Sequence, residues 1–288
     1  MNSFMDRRKF IQTGSLALLG SAVTPSFAAP LGVAGKQSAT KEAMDHFGVT
    51  ENDLQKVMSA ALEKGGDYVD LFFEHTFSNY VGLQDGEVNR CSSNIDYGMG
   101  VRVISGDQTG YAYVENITLN EMLKAARTAA RIASGTKKTE PVALTEKPIK
   151  TNYYPLTTPW EHVLLKDKMP YLQRLNDTIF ALDNRVQKVS ASLTDDTSHI
   201  LFCNSEGVQY YDYRPMVALS AMCIMEENGR IENSYASRSY RKGFEFLTDE
   251  VIDVIAREAV EDTAILFKAV KPKGGEMPVV MGAGGSGI

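Results

Sequence analysis

Residues 80–90 read Tyr-Val-Gly-Leu-Gln-Asp-Gly-Glu-Val-Asn-Arg, and this stretch predicts an antiparallel β-hairpin. Two short strand-forming runs, Tyr80–Gln84 and Glu87–Arg90, flank Asp85-Gly86. Asp-Gly is a preferred two-residue hairpin turn, because both residues adopt positive φ at low cost. The chain on either side of this turn is therefore expected to form an antiparallel sheet.

The rest of the first half surrounds this hairpin with strands and helices. Thr50 is expected to cap a helix that ends at Gly65-Gly66, and Thr118-x-x-Glu121 is a capping box that opens another. The strands predicted here are Tyr68–Glu74, Tyr80–Gln84, Glu87–Arg90, Val101–Ile104 and Tyr111–Val114.

The second half repeats the order helix, antiparallel strands, helix. Its helices are predicted to begin at Asp167 and after Thr248, and Asp195-Asp196 is expected to form a turn between strands. The predicted strands are Val186–Leu193, His199–Cys203, Val208–Tyr213, Val217–Met225 and Glu232–Tyr240, the last entered through Asn228-Gly229.

The fold class expected from this pattern is α+β, with two domains of curved, largely antiparallel sheet whose helices pack on one face, plus the first strand of a third domain. The expected boundaries are 1–28 (signal peptide), 29–49 (tether), 50–135 (first domain), 136–160 (linker), 161–270 (second domain) and 271–288 (stub of the third domain). The linker could instead be an ordered segment that lies across the first domain.

Residues 1–28 have the layout of a twin-arginine signal peptide. Arg7 and Arg8 precede a short, weakly apolar run, and Ser26-Phe27-Ala28 fits a cleavage site that ends at Ala28. A membrane anchor is the alternative, but the run is short and rich in Gly and Ser. We therefore expect an exported, periplasmic protein with no membrane association after cleavage.

The composition disfavours several classes of function. The net charge of −6 gives no electrostatic basis for nucleic-acid binding. The three cysteines, Cys91, Cys203 and Cys223, are too few for a disulfide scaffold, although a Cys203–Cys223 bridge is an alternative to free thiols. The four histidines are far apart in sequence, and a zinc site would need distant groups to converge. The residues predict no catalytic residue and no metal ligand.

Two weaker patterns each have a functional and a structural interpretation. Asp70 and Glu74 lie four apart on a predicted strand, so they could form a carboxylate pair, although a solvated face is expected. A set of tyrosines could line a peptide groove or simply pack: Tyr210, Tyr211, Tyr213, Tyr235 and Tyr240.

The stretch from Met277 to Ile288 is a strand pattern that runs into glycines. Gly282, Gly284 and Gly287 spell a dinucleotide-binding fingerprint, but that motif needs a following helix and an acidic residue about 20 positions later. A nucleotide-dependent oxidoreductase is the interpretation that these glycines would support. The alternative is that Gly282, Gly284, Gly285 and Gly287 approach a site built by further polypeptide.

Several stretches resemble the TldD/PmbA family of zinc metallopeptidases. Residues 67–73, 94–106 and 109–113 resemble its first domain, residues 185–193 and Arg214-Pro215 its second, and residues 275–284 the entry to its third. The resemblance favours the TldD branch. The old label of this family, modulator of DNA gyrase, finds no support in an acidic chain.

The resemblance implies a peptidase that cuts small or unfolded peptides. Such a site uses zinc held by an HExxxH helix and a later cysteine, and here the match ends before that helix. It implies a truncated chain that binds no zinc and is inactive alone, zinc in the full-length protein, and a PmbA/TldE-type partner or a homo-oligomer. The runner-up is a binding or scaffold subunit that pairs with an active metallopeptidase.

Overall fold

The computed structural model describes residues 38–147, 153–271 and 273–282. The described residues form five α-helices: α1 (Ala39–Phe47), α2 (Glu51–Leu62), α3 (Leu119–Ile132), α4 (Leu165–Leu182) and α5 (Asp249–Leu266). Seven strands accompany them: β1 (Tyr68–Gln84), β2 (Glu87–Ser105), β3 (Gln108–Val114), β4 (Thr145–Glu146), β5 (Val186–Asn204), β6 (Val208–Glu227) and β7 (Arg230–Tyr240). The predicted α+β fold class is confirmed.

One sheet contains all seven of these strands. Its order is β3-β2-β1-β5-β6-β4, and β7 pairs with β6. Every pairing is antiparallel except the short parallel pairing of β4 with β6. The strands assigned to two domains are therefore continuous through the pairing of β1 with β5, while the domain boundaries themselves stay predictions.

The hairpin turns lie where the sequence predicts them. Asp85 and Gly86 have φ of 54° and 81°, and Asn228 and Gly229 have φ of 55° and 78°. Both turns therefore adopt the backbone that favours Asp, Asn and Gly in two-residue hairpins.

The central strands are longer than predicted, and the prediction of a turn at Asp195-Asp196 is wrong. β5 runs unbroken for 19 residues, so both aspartates lie in mid-strand. The Asp195 carboxylate is buried, 2.5 Å from Lys168 Nζ of α4, and also accepts a hydrogen bond from Asn79. This pairing compensates the desolvation of a residue that ordinarily favours turns.

All five described helices pack on one face of the sheet, as predicted. Near one end, Leu71 and Phe73 of β1 and Val101 of β2 are buried under α2 and α3. Near the other end, Leu193 and Leu219 belong to a second buried cluster under α4 and α5. Side chains alternate along a strand, so the intervening residues of each strand lie on the opposite, helix-free face.

Residues 273–282 differ from the predicted strand. They form no helix or strand, and Val279 and Val280 are 75% and 97% exposed. A strand needs a neighbour for its backbone groups, and none of the described strands pairs with this segment. The first strand of a third domain is therefore not formed in the described part of the chain.

Three further observations complete the fold. Cys91, Cys203 and Cys223 are free thiols, so the alternative of a Cys203–Cys223 disulfide is wrong. The described part of the predicted linker is ordered, because Thr145 and Glu146 pair with β6. No helix among the described residues is long and apolar enough to cross a membrane.

The buried Lys168–Asp195 pair predicts that single substitutions destabilise the fold more than a double substitution does. Lys168→Met or Asp195→Asn alone should lower the free energy of unfolding by about 3–5 kcal/mol, because each leaves a buried polar or charged partner uncompensated. Lys168→Met combined with Asp195→Leu should recover much of that loss. Urea unfolding checks both, with Lys124→Met of the exposed Lys124–Glu121 pair as the control. A loss as small as that of the control would contradict the assigned role.

Candidate functional site

The helix-free face carries a groove of about 490 Å³ at the β1–β2–β3 end of the sheet. Phe72, Gly100 and Tyr113 lie in register across the three strands, and Glu74 pairs with Gly98 in the next row. The two glycines carry no side chain, so the Val114 carbonyl and the Tyr111 ring can lie directly against the β2 backbone. We call this the glycine-floored groove; it is bounded by Phe72, Glu74, Tyr111 and Tyr113, with Asp96 and Glu115 toward one end.

Gly98 is required by the backbone beside it, whereas Gly100 gives room to the movable side chain of Tyr111. A Cβ atom at Gly98 would lie 2.6 Å from the carbonyl oxygen of Val114, and one at Gly100 would lie 2.7 Å from the Tyr111 hydroxyl. Glycine within a strand often marks a close approach of another backbone or of a ligand. These alternating glycines are the sequence signal from which the groove could have been predicted.

Asp70 and Glu74 share the helix-free face, as their spacing predicts, but neither behaves as expected. Asp70 is buried rather than solvated, and its carboxylate lies 2.5 Å from Arg102 Nη2. That carboxylate raises the pKa of the Arg102 guanidinium. Glu74 accepts a hydrogen bond from the Thr76 hydroxyl at 2.7 Å. The two acids therefore do not form a paired acid–base site.

Three histidines converge on the helical face, between the two buried clusters. His75 of β1 and His199 of β5 are register partners, and His46 comes from the last turn of α1. His46 Nε2 lies 2.8 Å from His75 Nδ1, and the His46 and His199 ring centroids are 5.2 Å apart. Strand register and helix docking thus bring together three histidines that are far apart in sequence, and we call His46, His75 and His199 the histidine cluster.

Hydrogen bonds link this cluster to Glu161 and two tyrosines. His199 Nδ1 lies 2.8 Å from the Tyr211 hydroxyl, and His199 Nε2 lies 3.3 Å from Glu161 Oε1. The Tyr213 hydroxyl donates to Glu161 Oε2 at 2.9 Å. Burial by itself would raise the Glu161 pKa, but the hydrogen bonds from His199, its own backbone and Tyr213 outweigh burial and lower it.

The imidazoles of the cluster disfavour protonation. Burial lowers the pKa of His46 to about 4, and the neighbouring His199 and His75 add to that shift. Burial, and then His199, likewise lowers the pKa of His75 to about 4. Both rings are therefore neutral at pH 7, which allows one nitrogen to donate to the other.

The described residues do not fit a zinc ion. The ring nitrogens named above bond to one another, to Tyr211 or to Glu161, rather than converging on a shared position. Across residues 38–147, 153–271 and 273–282, no group of three or more His, Cys, Asp or Glu side chains could hold a metal. The sequence also contains no histidine followed by glutamate, so it lacks the HExxxH motif.

Comparison with known protein families gives a consistent assignment for both halves of the chain. Residues 69–133 match the profile described as PmbA/TldA metallopeptidase domain 1, and residues 158–267 match the PmbA/TldA metallopeptidase central domain. The chain belongs to the PmbA/TldD family. The resemblance identified from the sequence is therefore confirmed.

Individual relatives support this assignment to the PmbA/TldD family. A metalloprotease TldD homolog of Haemophilus influenzae is 33% identical over 231 residues, which cover 77% of this chain and 47% of the relative. A metalloprotease TldD homolog of Buchnera aphidicola (subspecies Acyrthosiphon pisum) is 28% identical over 251 residues, 83% of this chain and 51% of the relative. The chain spans about half the length of these curated relatives.

Solved structures share the fold at low sequence identity. A candidate modulator of DNA gyrase from Thermotoga maritima has a TM-score of 0.60 at 17% identity, over 78% of this chain and 50% of that one. TldE from Thermococcus kodakarensis has a TM-score of 0.53 at 15% identity, over 74% of this chain and 47% of that one. These likenesses show the PmbA/TldD fold.

The remaining site predictions have mixed outcomes. The five tyrosines do not share one groove: Tyr211 and Tyr213 lie beside the histidine cluster, Tyr210 stacks on Phe202, and Tyr235 and Tyr240 are exposed. Gly282 lies in the exposed segment without secondary structure. Gly284, Gly285, Gly287, Arg7, Arg8 and Ala28 lie outside the described residues, so the predicted export signal and the predicted approach to a site stay predictions.

The histidine cluster predicts a pH-dependent stability. Since the pKa values of His46 and His75 are near 4 in the folded state and higher in the unfolded chain, the unfolded chain binds more protons as the pH falls. The pair should therefore lose stability on the order of 2–4 kcal/mol between pH 6.5 and pH 4.

Urea unfolding at several pH values measures this loss. His46→Gln combined with His75→Gln should flatten the decline relative to the unsubstituted protein. His162→Gln, which changes an exposed histidine outside the cluster, should leave the slope as it is. Parallel curves for the double variant and the unsubstituted protein would contradict the assignment.

Proposed function

We propose that this chain forms the substrate-shaping part of a TldD-like zinc metallopeptidase that acts on small or unfolded peptides. Membership of the PmbA/TldD family carries this proposal, because profiles of two successive metallopeptidase domains match the chain in order. The glycine-floored groove supplies a surface to which such a role can be assigned.

The groove suits an extended chain better than a folded surface. Its floor includes strand backbone without side chains at Gly98 and Gly100, and its walls include the aromatic rings of Tyr111 and Tyr113, which are 58% and 67% exposed. Exposed aromatic rings offer a large contact area at a small cost in side-chain entropy. An extended peptide could place one or two side chains between these walls.

In this proposal the catalytic metal is held by polypeptide other than residues 1–288. The described residues offer no fitting set of ligands, and the matched TldD homologs are about twice as long as the matched region. The metal would supply the hydrolytic chemistry, whereas the residues of this chain would bind and orient the peptide.

A second candidate is a binding or scaffold subunit that pairs with an active metallopeptidase. This candidate is suggested by the solved TldE structure, which has the same fold, and it assigns the chain to a TldD/TldE-type partnership. The two candidates differ in one respect: the first requires a zinc-binding half joined to this chain, whereas the second requires zinc in a partner only.

Metal content and peptide binding test the proposal on the purified 288-residue chain. After incubation with zinc and desalting, the chain should retain far less than one zinc per molecule and should not hydrolyse fluorogenic peptides. It should bind a reduced, carboxymethylated protein more tightly than the native form of the same protein, as measured by fluorescence anisotropy.

A matched pair of variants locates the binding surface. Tyr113→Ala should weaken binding of the unfolded protein about threefold to tenfold, because it removes an exposed aromatic wall of the groove. Tyr235→Ala removes an exposed ring on β7 and should leave binding unchanged. Equimolar zinc with chelator-sensitive hydrolysis, or equal binding of native and unfolded protein, would contradict the proposal.

A further inference from the structure

The charge of the glycine-floored groove has one sign. Its lining includes three carboxylates, Glu74, Asp96 and Glu115, and no lysine, arginine or histidine. Glu74 accepts a hydrogen bond from the Thr76 hydroxyl, and Asp96 accepts one from the Asn94 amide. Because both donors are uncharged, the negative charge of the two carboxylates is not neutralised. A ligand group that enters this groove therefore meets a negative potential.

The Arg102 guanidinium does not cancel this potential. Arg102 lies one row away, as the register partner of Asp70 and Tyr111. Its guanidinium donates two hydrogen bonds to Asp70, whose carboxylate is almost fully buried. That pair is internally neutral, so the three groove carboxylates remain without a cationic counterpart among the groove's lining residues.

The aromatic walls suit the same kind of ligand. The rings of Phe72, Tyr111 and Tyr113 line the groove, and Tyr111 and Tyr113 are largely exposed. A lysine ammonium or an arginine guanidinium is attracted to the face of an aromatic ring, and its aliphatic stem packs against the same rings. Carboxylates and aromatic rings together thus favour a long basic side chain.

The groove also lies where the sheet edge becomes open. β2 pairs with β3 only from Met99 to Ser105, whereas its pairing with β1 continues to Glu87. The segment Arg90–Tyr97 therefore has β1 on one side and none of the described strands on the other. β3 ends at Val114, beside the groove, so an added strand would continue along the line of β3.

We propose that this edge and groove bind an extended peptide segment with a lysine or arginine side chain. The peptide backbone pairs with β2 along Arg90–Tyr97, up to the point where Val114 lies beside Gly98, and the basic side chain enters the glycine-floored groove toward Glu74 and Glu115. Strand addition fixes the backbone through main-chain hydrogen bonds, and the groove selects one side chain. This inference names a substrate class within the proposed function and rests on that function for the peptide ligand.

Three peptides that differ in one side chain test the selection. Fluorescein-labelled, unstructured twelve-residue peptides of Gly, Ser and Thr would carry a central lysine, norleucine or glutamate. The lysine peptide should bind the 288-residue chain at least tenfold more tightly than the glutamate peptide, with norleucine in between. Rising salt should narrow this difference, because the groove is exposed to solvent.

Variants identify which carboxylates act. Glu74→Gln and Glu115→Gln should each weaken binding of the lysine peptide about twofold to fivefold, the range expected for one exposed charge pair. Neither should change binding of the norleucine peptide. Glu63→Gln removes an exposed carboxylate of the helical side and serves as the control, since it should alter neither peptide's affinity.

The backbone contribution has its own test. In a strand, alternate amides point to the same side. We would compare two lysine peptides, one N-methylated at the odd positions and one at the even positions. One of the two should lose binding and the other should keep it, and an equal loss of affinity in both would overturn strand addition.

Two further outcomes distinguish a failure of this inference from a failure of the proposed function. If all three peptides bind equally and unfolded protein still binds, the basic-residue selection is overturned while the proposed function stands. If neither peptides nor unfolded protein bind, both are overturned.

Discussion

Fifteen consecutive residue pairs join β1 to β5, from Asp70 opposite Asn204 to Gln84 opposite Ser190, and the rest of the structure depends on this pairing. It turns two sets of strands, each with its own helices, into one sheet. Antiparallel strands of this length expose two long faces, and the five described helices cover only one of them. The other face carries none of the described helices.

The middle of the helical face, between the two apolar clusters, contains buried polar side chains. Neither buried cluster of apolar side chains reaches the centre of the strands, so polar groups are enclosed there and must find partners. Asp195 has Lys168 and Asn79, and His199 has Glu161 and Tyr211. Each partner comes from another element, so the polar middle links α4, β1 and β5. The same region keeps the imidazoles of His46 and His75 neutral, which lowers the stability of the folded chain as the pH falls.

Local chemistry made part of this fold predictable. Asp85-Gly86 and Asn228-Gly229 fixed two hairpins, and Thr50 and Thr118 fixed helix starts, because each acts within a few residues of itself. The unbroken strands were not predictable, since a buried aspartate in mid-strand depends on a lysine 27 residues away. The histidine cluster was not predictable either, because its members come from elements that are distant in the sequence. The groove had a readable clue in Gly98 and Gly100, whose meaning appears only when Tyr111 and Val114 are placed beside them.

Under the proposed function, the helix-free face of the continuous sheet holds a peptide, and other polypeptide supplies the residues that cut it. That assignment requires the sheet to be continuous in solution. Hydrogen exchange of the backbone amides in Thr76–Asn79 of β1 and Thr194–Ser198 of β5 tests this most directly. We expect these central amides to exchange as slowly as those of Leu71 and Leu193 in the two buried clusters. Fast exchange in the middle, with slow exchange at both ends, would show that the β1–β5 pairing opens between the two halves and would contradict a continuous sheet.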